Sequence, residues 1–136
     1  MKIKYDMDLM KYMSLFETLT RAKLKDCIMG DVVLFIVEEN EIGKAIGRGG
    51  VNVHKIEGLL KKKIKIVEFN PDIRQFVRNY LYPLEINDVN FEAGVVTVFG
   101  PDTKSRGLII GRDRANVRKL EEILKRYFEI SEIRVA

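Results

Sequence analysis

Glycine and arginine are packed together at the two places where this sequence could do chemistry. Ile46-Gly47-Arg48-Gly49-Gly50 sets three glycines around a guanidinium, and Ile110-Gly111-Arg112-Asp113-Arg114 repeats the frame 64 residues later. Arginine brings a permanent charge with a planar fork of donors. Glycine lets a second backbone come close, because no Cβ stands in the way. A helix starting just after such a turn adds free N–H groups and the positive end of its dipole. Each of these features attracts an anion, and a phosphodiester backbone fits all of them.

Other chemistry is hard to assemble from this chain. His54 is the only histidine and Cys27 the only cysteine. Neither a metal site nor a nucleophilic triad can be built from one of each, and an intramolecular disulfide is excluded. No catalytic residue, metal or cofactor is therefore expected. Two nucleotide-binding loops use glycine as densely but fail on spacing. In a P-loop frame Gly43 and Gly47 stand one residue too close, and Arg48-Gly49 occupies the place of Lys-Ser/Thr. In a dinucleotide frame, Gly47-Arg48-Gly49 lacks the third glycine three residues on. A glycine turn with a purely structural job remains the alternative to an anion clamp.

The elements that must position these loops follow from periodicity. Residues 8–24 place Leu9, Met13, Phe16 and Leu19 near helical spacing, with Asp8 as the expected N-cap and the methionines at 7, 10 and 13 as core filler. DCIMGDVVLFIVEE reads as a hairpin turning at Gly30-Asp31. A short helix over 41–46 leads into the first loop, and a second over 51–60 leaves it with Val53, Ile56 and Leu60 on one face. A strand over 63–69 closes the first half. Asn70 and Pro71 are expected to cap and open the next helix, whose Ile73, Phe76, Val77, Tyr80 and Leu81 keep the spacing of one apolar face. LEINDVNFE and VVTVFG then read as strands turning at Ala93-Gly94. A short helix to Ile110, a helix over 115–127 and a strand over 129–135 complete the second half. Both halves read helix–strand–strand–helix–helix–strand, so a whole domain is repeated.

The repeat extends to residue identity. From Ile46 to Ile66 and from Ile110 to Ile130, ten of 21 aligned positions are the same. Net charge is only +4, but it is unevenly spread. Lys44 to Lys65 holds seven basic residues against Glu57 alone, and Lys104 to Arg126 holds eight against three acids. Ile66 to Thr103 holds two basic residues against six acids. Solvated helix faces explain one such block; positive charge that recurs with the loop favours a polyanion. With 46% apolar residues, no apolar run near the roughly 20 needed to span a bilayer and no signal-peptide pattern, the expectation is a soluble cytoplasmic protein without a membrane partner.

These residues resemble a known family. I-G-x-x-G, between a short helix and an amphipathic one, resembles the loop of the KH domain, which grips about four nucleotides of a single strand. The element order resembles the type II variant. Two such units with G-R-x-x-x-N-V in both loops resemble the short archaeal NusA-like transcription factors, for which neither an N-terminal polymerase-binding domain nor an S1 barrel is expected. The resemblance implies an α+β fold of two tandem type II KH domains, residues 1–69 and 70–136, each a three-stranded mixed sheet packed by helices. It implies a single-stranded RNA-binding protein acting in transcription elongation or termination, not an enzyme, with RNA polymerase as a candidate partner and a monomer as the expected state. The implied RNA-binding residues are Ile46, Gly47, Arg48, Gly49, Gly50, Asn52 and Lys55 in the first unit, and Gly111, Arg112, Arg114, Asn116 and Arg118 in the second.

Several of these assignments stay open on the sequence alone. Asn52 and Asn116 either flank the clamp or simply stabilise a first helical turn. Val53 and Val117 border a floor for bases or belong to the core. His54 lies near phosphate or in solvent, and Lys61, Lys62 and Lys63 either complement a helix end or rim the RNA with Lys65. In the second loop Asp113 sets a negative charge at a phosphate site and Arg114 replaces the last glycine, so weaker or altered binding is expected there. The alternative function is a protein-interaction scaffold that docks on RNA polymerase or on a ribosomal or RNA-processing partner, with the KH units used mainly for protein contacts.

Overall fold

The run Val32–Val37, VVLFIV, is apolar at every position, as suits a central strand buried on both faces. The computed structural model describes residues 2–136, with side chains from Asp8 onward, and divides into two compact units, Met1–Asn70 and Pro71–Ala136. In the first unit β2 (Val32–Val37) lies between β1 (Leu24–Ile28), antiparallel, and β3 (Lys63–Glu68), parallel. Helices α1 (Lys2–Thr20), α2 (Ile42–Ile46) and α3 (Val51–Leu60) accompany this sheet. Val33, Phe35 and Val37 share one buried cluster with Phe16 of α1, Ala45 of α2 and Ile56 of α3, and Ile64 and Ile66 of β3 pack against it. The Phe16 and Phe35 rings stack with centroids 4.4 Å apart. Leu34, Ile36 and Val67 alternate with these residues and are buried too.

The second unit repeats the plan. Helix α4 (Ile73–Leu81) precedes β4 (Asp88–Glu92) and β5 (Val95–Phe99), and α5 (Thr103–Ile110) and α6 (Ala115–Tyr127) precede β6 (Glu132–Val135). β5 is central, antiparallel to β4 and parallel to β6. Ala93 and Gly94 turn the hairpin, both at positive φ, as a two-residue connection requires. Phe76 is fully buried, with the rings of Tyr127 at 5.9 Å and Phe128 at 6.0 Å. The apolar face expected on α4 is present: Ile73, Phe76, Val77 and Leu81 are buried, and burial raises the pKa of the half-buried Tyr80.

One tether recurs that the sequence did not suggest. Glu57 of α3 accepts a hydrogen bond from Ile64 N–H at 3.0 Å, and Glu121 of α6 accepts one from Ile133 N–H at 3.3 Å. Each glutamate fixes the helix leaving the loop to the final strand of its own unit.

Element ends differ from the sequence reading. Asp8 is not a cap but an exposed residue within α1, which begins at Lys2. That helix stops at Thr20, where the hydroxyl donates to Phe16 O and accepts from Ala22 N–H, and Arg21 takes φ 61°. Of the methionines, Met13 packs on the core, Met10 is 68% exposed because it lies about 100° off the Leu9/Met13/Phe16 face, and Met7 lies outside the described side chains. Asp72, rather than Asn70, caps α4 by accepting from Arg74 N–H, which leaves Pro71 outside the helix. The last strand starts at Glu132, and residues 84–87 precede β4 instead of joining it.

Phe16→Ala is expected to lower the stability of the first unit by about 3–5 kcal/mol, read from the urea midpoint, because the cavity would open against a stacked ring. Cys27 is buried, and burial foremost, with Asp26 beside it, pushes its thiol up to about 12. The thiolate is the reactive form, so iodoacetamide at mildly alkaline pH should leave the folded protein unmodified and label Cys27 once denaturant is added.

Candidate nucleic-acid interface

Four residues separate α2 from α3, and the chain reverses within them. Gly47 takes φ 75°, ψ 168°, a region open essentially only to glycine. Arg48–Gly50 forms a single 3-10 turn in which Gly49 (φ 64°, ψ 18°) and Gly50 (φ 76°, ψ 19°) are left-handed. Gly47 N–H donates to Gly43 O at 3.0 Å and Gly50 N–H to Gly47 O at 3.1 Å. The second loop copies this path: Gly111 lies at φ 76°, ψ 169°, Asp113 at φ 54°, ψ 31°, and Arg114 at φ 64°, ψ 20°. Losing two glycines therefore leaves the backbone conformation unchanged. It moves two side chains into left-handed positions that disfavour them by about 1–2 kcal/mol each, somewhat less for aspartate.

The three glycines of the first loop do different work. A Cβ on Gly47 would lie 2.9 Å from both Asn52 Nδ2 and Val51 Cγ1, inside van der Waals contact. A Cβ on Gly49 would meet nothing within 4 Å, and one on Gly50 only the His54 ring, at 3.7 Å from Nε2. Gly47 is thus required by the protein's own packing. Gly49 faces open space, and Gly50 has only the exposed His54 ring beside it.

The structure gathers Ile46, Gly47, Arg48, Gly49, Gly50 and Asn52 at this turn, with Lys55 exposed one helical turn further along α3. Gly111, Arg112, Arg114 and Asn116 occupy the equivalent turn, with Arg118 exposed beyond it. Arg48, Arg112, Asp113 and Arg114 are all exposed. Val117 is buried core and Val53 is half-buried. Sequence reasoning missed Val51, 49% exposed beside Ile46 at 36%, so two apolar side chains flank the glycines. Its position at the first residue of α3, off the Val53/Ile56/Leu60 face, was the available signal. His54 lies exposed beside Gly50.

The preceding helices are anchored by carboxylates. Glu41, at the N-cap of α2, accepts from Lys23 N–H at 2.6 Å and pairs with Lys44 at 3.6 Å. The Lys23 bond foremost holds its carboxyl below the usual range. Asp102 caps α5 by accepting from Ser105 N–H at 2.7 Å, which lowers its pKa likewise. Among the described residues, no group of three or more His, Cys, Asp or Glu is placed to hold a metal ion, and no helix is long and apolar enough to cross a membrane.

Comparison with known proteins places this geometry. The KH domain family model matches residues 11–77. The "Probable transcription termination protein NusA" of Methanocaldococcus jannaschii is 36% identical over 124 residues, 88% of this chain and 68% of that protein. The protein of the same name from Halobacterium salinarum is 31% identical over 138 residues, 99% of each chain. The chain belongs to the archaeal NusA-like family. Its fold is that of two tandem KH domains. The chain is also similar in structure to the crystal structure of APE1850, with a TM-score of 0.74 at 26% identity over 96% of this chain and 99% of that one.

The division of labour among the glycines predicts a contrast. Gly47→Ala should destabilise the first unit by roughly 1–3 kcal/mol, through a disallowed backbone and a clash with Asn52. Gly43→Ala, within α2 and facing open space, should be neutral or stabilising by up to about 1 kcal/mol. Chemical denaturation of the two variants reads this directly.

Proposed function

We propose that this chain binds single-stranded RNA during transcription elongation or termination, and that the Gly47–Gly50 loop clamps the RNA backbone. The observation that carries this reading is the open face of the first loop. Gly49 faces open space, only the exposed His54 ring stands beside Gly50, Arg48 is exposed here, and Ile46 and Val51 expose apolar surface at the edges. Phosphate meets positive charge and the start of α3, while bases rest on the aliphatic side chains. Lys55 adds charge one turn along the helix. The relatives' name supports the setting in transcription and makes RNA polymerase the candidate protein partner. The role is binding rather than catalysis.

In the second unit Gly111, Arg112, Arg114, Asn116 and Arg118 form an auxiliary surface. Arg114 brings a long side chain to the position where the first loop has Gly50, and Asp113 opposes phosphate, by on the order of 1 kcal/mol or more at surface dielectric. These same two residues favour a second reading, in which this loop serves a protein contact. If both loops engage, about eight nucleotides are covered.

Titration of a labelled single-stranded RNA separates the readings. Arg48→Asp/Gly49→Asp should weaken binding at least roughly tenfold and flatten the dependence on salt, and Arg112→Asp/Arg114→Asp should weaken it less. Unchanged affinity in the first variant would sink the clamp. A larger loss in the second would reverse the assigned asymmetry.

A further inference from the structure

We infer that Asn52 and Asn116 are positioning residues that set the shape of the two loops. The inference rests on the clamp reading for its functional consequence and on geometry alone for the brace. Asn52 Nδ2 donates to Lys44 O at 3.1 Å, and Asn116 Nδ2 donates to Leu108 O at 3.1 Å. Each bond runs from the second residue of the helix after the loop to a carbonyl in the last turn of the helix before it, eight residues upstream. The last carbonyls of a helix have no partner within it, and the amide supplies one. Neither asparagine caps its own helix: Gly50 and Arg114 hold the N-cap positions of α3 and α6, and neither helix has a side-chain cap. The bond spans the reversal instead.

The brace also explains which glycine the two copies share. A Cβ on Gly111 would lie 2.6 Å from Asn116 Cγ and Nδ2, as one on Gly47 would lie 2.9 Å from Asn52 Nδ2. The amide occupies the space that the missing Cβ leaves, so glycine at the first motif position and asparagine five residues later form one unit. At the third and fourth positions no such packing exists, and there the copies diverge to Asp113 and Arg114. Because a backbone carbonyl only accepts, the amide nitrogen must face it, which fixes the orientation of the side chain. Held in this way, the second loop keeps its left-handed residues without glycine.

Two readouts test the inference. The first is hydrogen exchange of the Gly50 and Arg114 amides, whose bonds to Gly47 O and Gly111 O close the two turns. The second is affinity for an oligouridine RNA of about twelve nucleotides. Asn52→Ala should speed Gly50 exchange and weaken RNA binding, each roughly tenfold, with exchange in the β2 core unchanged. Lys44→Ala should leave Gly50 exchange at the wild-type rate, because the bond uses the backbone carbonyl. Asn116→Ala should speed Arg114 exchange, and the same change beside Arg114→Gly should lower the melting temperature less than it does alone, since the strain the brace opposes is gone. Weaker binding with unchanged Gly50 exchange would make Asn52 a direct RNA contact and overturn the inference. Equal losses of melting temperature in the two Asn116 backgrounds would overturn it for the second loop. If the wild type fails to bind this RNA, the clamp falls, while the exchange arms still decide the brace.

Discussion

A helix has to stop and another start within four residues in each half of this protein, and the rest of the interface depends on how that reversal is made. The backbone at Gly47 and Gly111 enters a region closed to side chains, and two further residues turn left-handed before the next helix begins. Any residue larger than glycine at the first position would collide with the asparagine that ties the two helices together. Conformation and packing thus demand the same residue at the same place. The exposed turn is fixed in shape by contacts that lie behind it.

Those contacts connect the loop to the core. Ala45 of α2 and Ile56 of α3 are fully buried in the cluster that holds Phe16 and Phe35, so both flanks of the first loop rest on the sheet. Glu57 and Glu121 then tie α3 and α6 to the last strands of their units through backbone amides. In the first unit, Glu41 ties the start of α2 to the backbone just before β1. The presented surface stands on rigid elements, and a preformed site loses less entropy on binding than a loop that must order.

The two copies use one backbone for different surfaces. The first offers a clear face between aliphatic edges. The second carries Asp113 and Arg114 in conformations that disfavour them, and its continued adherence to the loop path means that surrounding contacts offset the strain. Charge follows the same division along the chain, with basic residues around both loops and acids concentrated between them. Under the proposed function, such a surface would attract a polyanion at long range through both loops, with close approach at the first.

Periodicity and turn chemistry carried most of the architecture into the sequence. The αββααβ order, the Ala93-Gly94 hairpin, the apolar faces of α3 and α4 and the exact extent of α6 were legible, because each depends on neighbours a few residues apart. Element ends were less so. Asp72 took the cap expected of Asn70, and Arg21 ended α1 early, since caps are settled by competing hydrogen bonds that spacing does not rank. The loop motif was legible as residue types, and its repetition gave the unequal second copy. Only the tertiary structure separated the glycines into one that packing requires and two that keep a surface open. It alone showed that Asn52 and Asn116 reach back eight residues to a carbonyl, that Val51 is exposed beside the loop, and that Glu57 and Glu121 hold strands. These facts depend on which atoms share space once helices pack on a sheet, and a linear pattern of residue types does not contain that geometry.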